Sequence, residues 1–110
     1  MCIRDSPGLV RDWILANDPA VYPHIYHVLA EGDAELATAI TTIACPTLVM
    51  TGDEDHGNSP RMAERMAALM GDASAVILPG LRHMALAESP AAFNAPLLAF
   101  LEETLDGESG

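Results

Sequence analysis

Hydrophobic and polar positions divide the chain into a helical third followed by an alternation of strands and helices. Leu9, Val10, Trp13 and Ile14 fall at i, i+1, i+4 and i+5, one apolar stripe of a helix ending near Asn17. Asp18-Pro19 is a start signal: an aspartate oxygen can cap free amides, and proline loses nothing at the first helical position. Tyr22, Ile25, Tyr26 and Leu29 continue that helix, Pro23 is expected to kink its first turns, and Gly32 to end it. Asp33 can cap a third short helix through Leu36 and Ile40.

At Ile43 the texture changes. Pro46 to Thr51 is β-branched and aliphatic and is bounded by Pro46 and Gly52, the pattern of a strand buried on both faces. Its partner runs from Ala75 to Leu78 and closes at Pro79-Gly80. Between them Ser59 is expected to cap, and Pro60 to open, a helix with Met62, Met66, Leu69 and Met70 on one core-facing stripe, stopped by Gly71. Strand, crossover helix and strand make two parallel strands of one right-handed unit. Ser89-Pro90 opens a last helix with Phe93, Leu97, Phe100 and Leu101 in phase. Pro96 inside it predicts a kink or a restart at Asn94, and residues 106–110 read as a frayed tail.

Composition narrows the function classes. With 110 residues, 50% of them hydrophobic, the chain suffices for one domain or less. Five arginines, no lysine and sixteen acids leave a net charge of −11, a field that repels nucleic acid and anionic membrane surfaces. The longest apolar run, Ile43 to Met50, falls short of the ~20 residues a bilayer span needs. Cys2 and Cys45 make no disulfide framework and no secretory leader opens the chain, so a cytoplasmic, thiol-reduced protein is the expectation. The opening residues 1–6, MCIRDS, lack periodicity and resemble a non-native scar. Two parallel strands are marginal alone, which also points to further strands upstream.

Chemistry in open parallel sheets gathers where strands end. The loop after Thr51 carries Asp53, Glu54, Asp55 and His56, and the loop after Leu78 carries Arg82 and His83. If both open on one sheet edge, a carboxylate and an imidazole can meet, the arrangement that orients a general base. For Asp55 the competing reading is a loop acid capping the amides of Gly57 or Asn58, and for His83 a partly buried packing residue. Asp53 and Glu54 read as solvated, the methionines as core, and Cys45 as a buried thiol leading the strand. His24 and His27 lie three apart on a helix without a third metal ligand in sight. Asp53, Asp55 and Glu64 mimic positions one, three and twelve of a calcium loop, but Gly57 and Asn58 occupy positions five and six, where an oxygen ligand and a glycine belong. No metal or cofactor is expected.

CPTLVMTGDEDHGNSP resembles the acid-bearing strand and loop of the α/β-hydrolase fold family, and GLRHMALAESPAAFNAPLLAFL its final segment. The resemblance covers Ile43 to Leu105 closely and residues 8–42 loosely. It implies an α/β fold, with residues 7–42 part of a helical cap and residues 43–110 the C-terminal portion of the hydrolase core. It implies Asp55 as triad acid and His83 as general base, acting on an ester, lactone or related acyl substrate. Trp13 and Tyr26 in the cap, and His56 and Met84 beside the site, would touch that small-molecule substrate. The nucleophile elbow Gly-x-Ser-x-Gly is absent; Gly57-Asn-Ser59 lacks its last glycine, so the nucleophile is expected upstream. Within the family, the cap and the Ala30-Glu31-Gly32-Asp33 stretch resemble those of the enol-lactonase and haloperoxidase-like group. An aspartate nucleophile, as in epoxide hydrolases and dehalogenases, would use the same histidine. A non-catalytic relative or a small binding module is the alternative outside enzymology.

Overall fold

The computed structural model describes residues 6–107, with side chains described throughout except at 6 and 33–35. The resemblance of residues 1–5 to a scar, Cys2, the cap assigned to the Asp33 side chain, and the last three residues of the tail lie outside the described residues.

The protein is mixed α/β, with two parallel strands flanked by helices. It comprises two compact units that meet in sequence at Ala39/Ile40. The first holds α1 (Ser6–Ala16) and α2 (Tyr22–Ala39). Asp18 opens α2 much as its type predicts: its Oδ1 accepts from the amide of Ala20 at 2.8 Å, while its carbonyl accepts from Val21 and Tyr22. Pro23 is the second residue of α2, where a missing N–H leaves no helical bond unmade, so it begins the helix where a kink was expected. Gly32 does not end the helix. A mid-helix glycine costs only about 1 kcal/mol against alanine, and the flanking run of Ala, Glu and Leu favours helix enough to carry α2 through it. On this unit the Tyr22 and Tyr26 rings lie 4.9 Å apart, and His27 pairs with Glu31 one turn on at 3.2 Å.

The second unit begins with a 3-10 turn, Ile40–Thr42, followed by β1 (Thr47–Gly52), α3 (Pro60–Leu69), β2 (Ala73–Leu78), the short α4 (Ala85–Glu88) and α5 (Pro90–Gly107). Thr47 pairs with Ala73 and the register holds to Gly52 opposite Leu78, so both strands end at the same level. Helix α3 does begin at Ser59-Pro60, but the Ser59 side chain makes no capping bond; its carbonyl accepts from Met62 and Ala63. The buried residues of α3 are Ala63 and Ala67, while Met62, Met66 and Leu69 are exposed. The expected methionine core stripe is thus corrected by one position around the helix: the two small residues let α3 lie close on the strands. β1 is buried only at its carboxyl end, Thr51 and Gly52, because among the described residues β2 is its one paired neighbour. Cys45 precedes Pro46 outside the strand and is exposed, which corrects its reading as a buried thiol.

Helix α5 is one element through Pro96 and reaches Gly107, with neither a restart at Asn94 nor a frayed end at 106. The ring removes the bond that residue 96 would give the carbonyl of Ala92, and packing along the Phe93, Leu97 and Phe100 stripe holds the helix together across that gap. Leu101, placed on that stripe by spacing, is exposed. Leu78, Leu81 and Ala85 form a buried cluster with Val76 and Phe93 against it, anchoring the end of β2, the following loop and α4 to the start of α5. No helix among the described residues is long and apolar enough to cross a membrane.

Candidate active site

The site is built where β1 and β2 end. Asp53 N donates to the carbonyl of Leu78 and Glu54 N to that of Leu81, each at 3.0 Å, which laces the two post-strand loops together. Two glycines permit this approach. A Cβ on Gly52 would collide with the Leu81 carbonyl, so only glycine lets the second loop cross the end of β1. Gly80 has φ of 68°, the left-handed turn that sends the chain across. Asp53 and Glu54, expected to be simply solvated, are exposed but each has a protein partner. Asp53 Oδ1 accepts from Gly80 N at 2.7 Å, and Glu54 Oε2 pairs with Arg82 Nε at 3.0 Å. Glu88 adds a further stitch by accepting from Arg82 N at 3.0 Å.

This lacing brings Asp55 and His83 together across 28 positions of sequence. The Asp55 side chain is 5% exposed and uses its oxygens separately. Oδ1 accepts from the amides of Gly57 at 2.8 Å and Asn58 at 2.9 Å, while Oδ2 lies 2.9 Å from Nδ1 of His83. The two readings of this aspartate, loop cap and histidine partner, thus describe one residue doing both. The Asn58 amide, the imidazole and the Gly57 amide together hold the carboxyl below the ordinary aspartate range, outweighing the opposing effect of burial. An ionised carboxylate only accepts, so Nδ1 must carry the proton of a neutral ring. The Asn58 side-chain nitrogen, 3.3 Å from the same Nδ1, then has no lone pair there to bond. Nε2 is left with its lone pair, on a side chain 67% exposed and so unlike a packing histidine.

Beside this pair is a cavity of about 540 Å³. Thr51, Asp55, Asn58, Arg82 and His83 supply its polar side chains, and its apolar lining includes Met50, Met62, Met66, Met84 and Phe93. Met84 is exposed and lines this cavity. His56 is exposed and does not line this cavity. Trp13 and Tyr26 are exposed on the N-terminal helical unit. Three features of the site escaped the sequence reading: the Asp53–Gly80 bond, the Glu54–Arg82 pair and the burial of Thr51, whose hydroxyl donates to the carbonyl of Asn58 at 2.6 Å. No group of three or more metal-ligating side chains occurs among the described residues.

No family model matches the chain, and no solved structure matches it. Over 95 residues it is 30% identical to (E)-2-((N-methylformamido)methylene)succinate hydrolase of Acinetobacter baylyi, covering 86% of this chain and 36% of that protein. Over 98 residues it is 34% identical to the polyketide synthase ThaQ of Burkholderia thailandensis, covering 89% of this chain and 5% of that protein. The chain thus spans about a third of the length of the hydrolase and a small part of the synthase. Its similarity is to an α/β-hydrolase-like group, and one of these two relatives is named for hydrolysis.

Proposed function

We propose that this chain carries the acid and the base of a nucleophile–histidine–acid triad that hydrolyses an ester, lactone or related acyl substrate. The nucleophile would come from polypeptide outside these 110 residues. The observation that carries this reading is the contact between Asp55 Oδ2 and His83 Nδ1, with the other carboxylate oxygen held by two amides. In that arrangement Asp55 cannot swing away, and it fixes the ring as the Nδ1–H tautomer. Nε2 takes the proton from the attacking hydroxyl, and Asp55 stabilises the imidazolium that forms. The same Nε2–H then protonates the leaving group. The apolar lining beside His83, Met84 included, would receive the hydrocarbon part of the substrate.

Similarity to a protein named as a hydrolase of a formamido-bearing succinate supports the hydrolytic class and widens the substrates to be tried. The test uses the longest polypeptide encoded in frame with this chain, assayed against esters, lactones and formamide-bearing dicarboxylates. Replacing His83 by Ala or Asp55 by Asn is expected to lower kcat by about 10³–10⁴-fold for whichever substrate is turned over. Near-intact turnover in either variant would refute the assignment.

A further inference from the structure

Among the described residues the buried polar or charged side chains are Asp55 and Thr51. Asp55 has a role in the proposed triad; Thr51 has none in it. It is the penultimate residue of β1, 8% exposed, and its hydroxyl makes a 2.6 Å bond to the carbonyl of Asn58 seven residues on. Asn58 is the residue whose amide binds Asp55 Oδ1. Both backbone groups of Asn58 are therefore engaged, the carbonyl by the strand and the N–H by the aspartate. With Asp55 N donating to the Gly52 carbonyl at 3.2 Å, the loop closes into a ring fastened to the end of β1.

Shape alone does not account for this residue. Valine has the branching of threonine and fits a strand equally well, so the hydroxyl is the feature that distinguishes Thr51. We propose that Thr51 is a positioning residue: by holding the Asn58 carbonyl, its hydroxyl closes the 53–58 loop so that two amides fix one oxygen of Asp55 and leave the other for His83. This rests on the triad reading for its purpose, though not for its geometry. The other charged groups of the two loops have partners of their own: Asp53 is held by Gly80 N, Glu54 by Arg82, and Glu88 by the amide of Arg82. Of the titratable side chains there, His83 is the one hydrogen-bonded to Asp55.

The test follows the Asp55 carboxyl, in the longest polypeptide encoded in frame with this chain, through acid by carbon NMR in four proteins: the parent, Thr51→Val, Thr51→Ser and Asn58→Ala. Thr51→Val is expected to shift the Asp55 midpoint upward, towards the ordinary aspartate value, and Thr51→Ser to return it to that of the parent. Asn58→Ala is expected to leave it in place, because only the backbone of Asn58 takes part. Should Thr51→Val fail to fold, Thr51→Ala removes the same donor with less bulk and is expected to show the same shift. An unmoved midpoint on loss of the hydroxyl, or an equal shift in the Val and Ser variants, would overturn the proposal and leave the Asp55–His83 reading standing. Intact hydrolysis by the Asp55→Asn variant would overturn that reading and leave the tether untouched.

Discussion

Two backbone amides and an imidazole surround one carboxylate at Asp55, and all three stabilise its charged form. In the unfolded chain this carboxyl returns to about 3.9. A folded-state value below that means the group contributes stability above about pH 4, and the contribution is lost as pH falls through the folded value. Acid unfolding compared between the parent and Asp55→Asn should therefore show the largest difference near pH 5, shrinking towards pH 2; a difference constant across that range would contradict the assignment. Asp55 and His83 stood out in the sequence through the resemblance of the two post-strand loops to a known family, since position after a strand end alone left Asp53, Glu54 and Asp55 equally open. The burial of Thr51 could not be read there, since a threonine in a β-rich run is explained by its branching alone. Nor could the bonds of Asp53 and Glu54: their partners lie 27 and 28 residues away, and nothing local to an exposed acid reports a distant amide or guanidinium.

At the level of elements, the strand ends decide whether the acid and the base meet. Gly52 is the contact point, because the second loop crosses where its Cβ would be. Gly52→Ala should push that loop away, separate His83 from Asp55 and cost about 1–3 kcal/mol while leaving the β1–β2 pairing in place. Thermal unfolding, together with the chemical shift of the His83 ring nitrogens, would show both effects, and an unaltered ring signal would argue that the loop has room to yield. The order of strand, helix and strand was legible because hydrophobic runs bounded by proline and glycine are a strong signal. Three details of the helices were not. Gly32 and Pro96 look like breaks, but helix-favouring neighbours and packing override costs of about 1 kcal/mol at the glycine and about 3 kcal/mol at the proline. On α3 the periodicity of the large residues drew attention to Met62 and Met66, whereas Ala63 and Ala67 make the close contact.

For the whole molecule, a charge of −11 repels polyanions, and the cavity beside Asp55 and His83 is lined largely by apolar side chains. The polar groups of the candidate site are concentrated where the two strands end, and the core beneath them is small: Leu78, Leu81 and Ala85 with Val76 and Phe93. The precision of the site thus depends less on bulk burial than on the hydrogen bonds lacing the loops. The central claim is that Asp55 presents His83 as a base with Nε2 unprotonated. A nitrogen–proton correlation spectrum of the 110-residue chain, at a pH where the ring is neutral, reads this tautomer directly. Nδ1 is expected to carry the proton in the parent, with that preference lost in Asp55→Asn. A parent His83 protonated on Nε2 would contradict the account, because Nδ1 would then have no proton to give Asp55 and Nε2 no lone pair with which to act as base.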